Sequence, residues 1–101
     1  MVASNKARVE TNDRFSLEEI LGSKVRIRIL KTLFKLGEAN ITRIARETNT
    51  HFSLVEKHLQ RLKEMGIVEE KRIGRIRLFG LNYGNPKVHL LMELIRSMEG
   101  I

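Results

Sequence analysis

The sequence predicts a mainly α-helical domain with one small β-hairpin, an α+β fold around a single core. Apolar residues recur at three- and four-residue steps through most of the stretch from residue 16 to 99. That pattern breaks once, for two short runs rich in isoleucine and leucine, residues 67–73 (IVEEKRI) and 76–81 (IRLFGL). The helical runs also stop at Gly22, Gly37, Asn49 and Gly66, residue types that end helices or turn between them. A chain of 101 residues makes one small domain whose core is marginal alone, so burial against a second copy is expected.

Taken in order, residues 1–14 are polar, mixed in charge and without periodicity, which predicts a disordered arm whose Lys6, Arg8 and Arg14 add weak attraction to phosphates. Order begins at Ser16, which with Glu19 forms the pattern of a capping box. The short helix that follows is expected to bury Leu17, Ile20 and Leu21 before Gly22 ends it. Ser23 caps a helix over 24–36 with a wide apolar set (Val25, Ile27, Ile29, Leu30, Leu33, Phe34), and Gly37 closes it in a left-handed conformation. Lys24, Arg28, Lys31 and Lys35 form a basic stripe on this helix, read as a solvated face.

Residues 38–41 (EANI) suit a short extended segment. Thr42 is then the expected cap of a two-turn helix that turns Ile44 and Ala45 inward and stops at Asn49, which tolerates the left-handed backbone of a tight interhelical turn. The next helix, to Gly66, repeats Phe52, Val55, Leu59 and Leu62 along one buried face. Thr50 or His51 can cap it; Ser53 with Glu56 offers a capping box that would delay the first turn to residue 54. Gly74-Arg75 between the two strands matches a two-residue hairpin turn with positive φ at its first position. Asn85-Pro86 starts the last helix, with asparagine as cap and proline where its missing N–H is harmless. That helix is apolar on two sides. Val88, Leu91, Ile95 and Met98 share one, Leu90 and Leu94 point elsewhere, and one of the two needs a second chain.

The formal net charge of +7 favours a polyanionic partner, nucleic acid before an anionic membrane. The absence of cysteine excludes disulfides, thiolate metal sites and cysteine nucleophiles. No apolar run approaches the roughly 20 residues of a membrane span, and the first ten residues lack the apolar segment of a secretion signal, so a cytoplasmic, nucleoid-associated protein is expected.

A short helix, a tight turn at Asn49, an amphipathic helix and a basic hairpin, in that order, describe a helix-turn-helix followed by a wing. The second helix, about 51–65, then presents its outer side to the major groove of double-stranded DNA. The wing, 67–81, packs its apolar side on the domain and turns Lys71, Arg72, Arg75 and Arg77 to the backbone or the minor groove. Arg43, His51 and Arg61 complete the backbone-contacting set. Two further roles of the same fold remain open at this point: a non-specific architectural DNA-binding protein and a protein-interaction module. Catalysis is not expected, because Glu69 and Glu70 point to opposite sides of a strand and no nucleophile set or phosphate-cradling loop is visible. His89 and Glu93, one turn apart, make too thin a ligand set for a metal.

Residues 41–49 (ITRIARETN), 55–68 (VEKHLQRLKEMGIV) and 72–81 (RIGRIRLFGL) resemble the winged-helix transcriptional regulators of the ArsR-like and MarR-like kind, particularly small archaeal ones, over residues 16 to 99. The resemblance implies a sequence-specific DNA-binding regulator, with residues 15–84 as the winged helix-turn-helix domain and 85–101 as a dimerisation helix. It also implies base contacts from Ser53, Leu54, Glu56 and Lys57, to which Gln60 is added by its place on the same helix. Lys57 suits guanine, Gln60 adenine, Leu54 a thymine methyl and Glu56 a cytosine amino group, although Glu56 as a capping-box acid would be structural. A homodimer is implied through the terminal helices, with Leu17, Ile20, Leu21, Val88, Leu91, Ile95 and Met98 at the contact. The paired cysteines of the family's metal and thiol sensors are missing, so no metal, cofactor or small-molecule effector is assigned.

Overall fold

The computed structural model describes residues 17–100, so the N-terminal arm and the Ser16 capping box lie outside the described residues. Five helices and three strands follow one another as α1 (Leu17–Leu21), α2 (Lys24–Leu36), β1 (Glu38–Ala39), α3 (Ile41–Thr48), α4 (Phe52–Glu64), β2 (Val68–Ile73), β3 (Ile76–Leu81) and α5 (Pro86–Glu99). Their apolar faces meet in one core. Ile29, Leu30 and Leu33 of α2, Ile44 of α3, Val55, Leu59 and Leu62 of α4 and Phe79 of β3 are all buried there.

Local chemistry sets most boundaries. Ser23 is extended and its hydroxyl accepts from the Arg26 amide at 3.2 Å, as expected of a cap. Gly37 has the anticipated positive φ of 86°, but its ψ of −71° lies outside the left-handed helical region. The cap of α3 is Asn40, not Thr42: its Oδ1 accepts from the Arg43 amide at 2.8 Å. Asparagine is the stronger cap, and starting the helix at residue 41 places Ile41 in the core. Asn49 adopts the left-handed conformation (φ 51°, ψ 47°) on which the turn between α3 and α4 depends.

At the start of α4 the expected capping box does not form. His51 is the cap residue without a side-chain bond to the backbone, helical structure already holds at Phe52, and Glu56 is engaged elsewhere. Phe52 is also not core, being 49% exposed at the first turn, where the helix runs ahead of the domain it packs on. The end of α4 is a Schellman arrangement, in which Gly66 N–H reaches Lys63 O at 3.0 Å and Ile67 N–H reaches Leu62 O at 3.0 Å, with Gly66 at φ 75°.

The sheet is antiparallel in the order β1-β3-β2, with β3 central. Ile73 pairs with Ile76 across the Gly74-Arg75 turn, and Gly74 takes the positive φ of 63° expected there. Register then overturns one expectation. Strand alternation puts Val68, Glu70, Arg72, Arg77, Phe79 and Leu81 on the core-facing side and Glu69, Lys71, Ile73, Ile76 and Leu78 on the other. The apolar residues of the outer wing therefore do not pack on the domain. Ile73 and Ile76 are 60% and 52% exposed, while Arg72 and Arg77 continue the face that the core occupies nearer the base.

Helix α5 is an integral part of the fold. Asn85 caps it, its Oδ1 accepting from the Lys87 amide at 3.0 Å, and Val88 and Leu91 join the core. The expected dimer-contact set is accordingly divided. Ile20, Val88 and Leu91 are buried in this chain's own core and cannot also form an outer surface. Leu21 and Ile95 are half-buried against it, whereas Leu17 and Met98 stay exposed, as do Leu90 and Leu94. Leu17 was expected to be buried beside Ile20; a helix of five residues turns only one face inward, and Ile20 takes it.

Candidate nucleic-acid interface

The core spacing of α4 fixes what its other side can present. With Val55, Leu59 and Leu62 inward, Ser53, Leu54, Lys57 and Gln60 fall on the opposite, exposed side. Leu54, Lys57 and Gln60 line a shallow cleft with Arg26 of α2 and with His58 and Arg61 of the same helix. These four exposed residues combine a hydroxyl, an apolar contact, a cation and an amide, the side-chain types that read base edges.

His58 sits at the edge of that face. Arg26 Nε donates to His58 Nδ1 at 3.0 Å, so the ring is neutral at that nitrogen, and burial together with the charges of Arg26 and Lys57 lowers its pKa. The partner of the ring is thus Arg26 of α2. Arg26 also bonds the Glu19 carbonyl, and Glu19 Oε1 accepts from Arg61 Nε at 2.6 Å. The bond from Arg61 holds the Glu19 carboxyl below its ordinary range, and the same contact raises the Arg61 pKa. Arg61, expected at the backbone, is thereby engaged with α1 and, through a 3.2 Å bond, with Glu64.

A second network ties α4 to the wing. Arg77 Nη1 lies 3.1 Å from Glu56 Oε2 and Arg77 Nε 2.7 Å from Glu70 Oε2, with the guanidinium carbon 5.2 Å from the centre of the Phe79 ring. Lys63 Nζ reaches the other Glu70 oxygen at 2.8 Å. Bonds from Arg77 and then Lys63 keep the Glu70 carboxyl ionised, with a pKa of about 2. Glu56 and Arg77 are therefore occupied with each other.

The four wing cations divide. Lys71 pairs with Glu38 on β1 at 2.7 Å, and Arg77 faces inward. Arg72 approaches Glu70 only at 3.6 Å and is largely exposed, and Arg75 projects from the turn. Arg43 is exposed at the start of α3 and pairs with Glu47 at 3.1 Å; His51 Nδ1 lies 3.1 Å from Ser53 Oγ at the start of α4. Such surface pairs are weak and can exchange for phosphates at little cost. On α2, Lys24, Arg28 and Lys35 are solvent-exposed and Lys31 pairs with Glu99 at 2.7 Å.

Two structural residues escaped the sequence reading. Arg26 falls within an apolar helix and gave no pattern signal, whereas Glu70 could have been placed by counting strand alternation from Val68. Among the described residues, no group of three His, Cys, Asp or Glu side chains could hold a metal ion. His89 instead contacts the Tyr83 carbonyl at 2.8 Å, and Glu93 pairs with Arg96 at 3.2 Å. No described helix is long and apolar enough to cross a membrane.

Comparison with known proteins agrees with this geometry. Residues 23–70 match the model of the arsR family of bacterial regulatory proteins. No curated protein matches the chain in sequence. Among solved structures, the homodimeric winged helix-turn-helix DNA-binding domain of a possible ArsR-family transcriptional regulator from Mycobacterium bovis is similar, with a TM-score of 0.75 at 25% identity. That match covers 95% of this chain and 84% of the other. NolR from Sinorhizobium fredii is similar in fold, with a TM-score of 0.77 at 18% identity over 96% of this chain and 92% of the other. The antimony-specific transcriptional repressor AntR matches with a TM-score of 0.68 at 25% identity over 91% and 82%. The organisms named here are bacterial, and none supports the archaeal side of the expected resemblance.

Proposed function

We propose that the chain works as a homodimeric, sequence-specific double-stranded DNA-binding regulator in the cytoplasm, a reading supported by the match of residues 23–70 to the model of the arsR family of bacterial regulatory proteins. Its family and fold are those of regulators rather than enzymes. The observation that carries the reading is the free outer side of α4, with Ser53, Leu54, Lys57 and Gln60 exposed beside a wing whose Arg72 and Arg75 point to solvent. In this reading the four helix residues meet base edges. Arg43, His51, Arg72 and Arg75 meet the backbone or the minor groove, and Lys71 does so by exchanging Glu38 for a phosphate. Glu56, Arg61 and Arg77 hold the reading head in place instead of touching DNA, as their short internal ion pairs argue.

The dimer surface differs from the one the sequence suggested. Leu17, Leu90, Leu94 and Met98 are exposed, and the first three border one apolar groove between α1 and α5. Two copies joined there would set two α4 helices on half-sites about 34–36 Å apart, or a multiple of that spacing. In this reading residues 15–84 supply DNA binding, and 85–101 together with Leu17 of α1 supply the contact between copies.

Selection of bound fragments from a random duplex library, repeated over a salt series, tests the proposal. A defined palindromic motif is expected, with affinity falling about 10³–10⁵-fold between 50 and 200 mM salt for six to ten phosphate contacts. A diffuse footprint would select an architectural protein instead, and no complex even at low salt would select a protein-interaction module.

A further inference from the structure

At the wing tip, Ile73 and Ile76 stand directly opposite one another on the outer face of the hairpin, both more than half exposed. Leu78, half-buried, continues the stripe toward the base. Ile76 also borders a shallow cleft whose lining includes Asn40, Thr42, Arg75, Arg77 and the exposed Phe52 at the start of the recognition helix. A lone exposed isoleucine needs no explanation, but an opposed pair at the end of a projecting hairpin is a different matter. Cross-strand packing accounts for the β-branching of the two residues and not for the choice of wholly apolar ones, since threonine is β-branched as well.

The flanking residues indicate the occupant. Arg72 directly precedes Ile73 and Arg75 directly precedes Ile76, both arginines exposed, on a chain of net charge +7. An apolar protein groove would need an acidic rim to use this cationic border, whereas every minor groove combines apolar sugar walls and stacked bases with two rows of phosphates. We propose that the wing tip enters the minor groove with Ile73 and Ile76 as an apolar wedge that unstacks a base step and bends the duplex, while Arg72 and Arg75 hold the phosphates on either side. This rests on the DNA-binding reading above and adds to it a mechanical action on the DNA. Flexible pyrimidine–purine steps accept such a wedge most easily, so the wing selects a TA or CA step without contacting a base edge.

The test uses the full chain and a duplex recovered by selection with the unaltered protein, labelled at both ends for energy transfer. The unaltered protein should shorten the end-to-end distance, corresponding to a bend within about 20–90°. The double variant Ile73→Thr/Ile76→Thr keeps β-branching at both exposed positions. It should keep its melting temperature and the slope of affinity against salt, lose most of the bend and bind about 5–30-fold more weakly, which is about 1–2 kcal/mol. Replacing the TA or CA step within the wing's footprint by a stiff AA step should weaken the unaltered protein and leave the double variant unaffected. Equal bending and affinity for the two proteins, or equal sensitivity to the step, would overturn the wedge. If the unaltered protein binds no duplex, it is the DNA-binding reading that fails. Should the double variant melt early, Ile73→Val/Ile76→Val provides the second measurement. It keeps a smaller apolar tip, and an intermediate bend supports the wedge, whereas an unchanged bend opposes it.

Discussion

Arg77 of the wing and Glu56 of the recognition helix meet at 3.1 Å, and the same guanidinium holds Glu70 at 2.7 Å. Two elements that would read different grooves are thereby fixed at one mutual angle. Arg77→Ala is expected to lower stability by on the order of 1 kcal/mol, visible in urea unfolding, and to weaken specific binding more than non-specific binding because the wing loses its orientation. A variant that binds every duplex equally weakly would identify Arg77 as a phosphate contact instead.

Arg75 and Lys57 should behave differently from Arg77 and from each other. Arg75→Ala is expected to leave unfolding unchanged and to weaken all duplexes alike, reducing the salt slope by about two, one for the Arg75 of each subunit. Lys57→Ala should relax preference at one base position, at a cost of about 1–3 kcal/mol for the preferred base. Binding assays on a panel of single-base operator variants separate these roles, and identical profiles for the two variants would contradict them.

Glu70 predicts acid sensitivity of the wing. Its carboxyl is held at about 2 in the folded chain by Arg77 and Lys63, below the ordinary 4.5 expected when unfolded. A depressed carboxylate contributes stability that is complete above the unfolded value and is lost as pH falls from about 4.5 toward 2. Unfolding midpoints measured across that window should drop for the natural sequence, and less steeply for Glu70→Gln.

His58 acts in a higher window. Burial and the Arg26 and Lys57 charges lower its pKa below the ordinary 6.5, so the unfolded chain takes up the proton first. Its contribution is present above about pH 6.5 and declines as pH falls through the folded value. The natural chain should lose stability between pH 7 and 5 by an amount that His58→Gln does not. Parallel curves for the two proteins would show that the Arg26 contact does not depend on the neutral ring.

The exposed leucines of α5 predict the assembly. Leu90, 70% exposed, and Leu94 lie apart from the buried Val88–Leu91 face. The double variant Leu90→Glu/Leu94→Glu should remain folded, sediment as a monomer and lose the palindromic preference, because each half-site alone then binds weakly. An unchanged sedimentation coefficient would place the contact between copies elsewhere.

Much of this molecule was legible in its residue order. Helical period, glycine stops and Asn49 placed α2 to α4, and Gly74-Arg75 placed the wing, because each of these signals is local. What was not legible depended on neighbours distant in sequence. Glu56 offered a plausible capping box, yet the structure gives it to Arg77, 21 residues away. Phe52 had the spacing of a core residue, but the helix projects beyond the core at that turn. Both faces of α5 were recognised as apolar; which one the chain keeps for itself follows only from packing against the rest of the domain, and Ile20, Val88 and Leu91, expected at a contact between copies, are buried in this chain's own core for that reason. The wing was read from composition, and Arg72, Arg77, Ile73 and Ile76 were expected on the faces opposite to those they take, because register along residues 68–81, not charge, decides which side chains point inward.

The carbonyl of Gly66 accepts from two asparagine amides, Asn82 Nδ2 at 3.0 Å and Asn85 Nδ2 at 2.9 Å. The first belongs to the end of the wing and the second caps α5, so the last turn of the reading helix, the return of the hairpin and the root of the outer helix are riveted at one oxygen atom. In a twofold assembly this rivet works as the pivot of a caliper: a small tilt of one arm, where the copies touch, opens or closes the gap between the two points that measure the duplex. Loosening it should broaden the range of half-site separations the assembly tolerates before it reduces the grip on any single half-site.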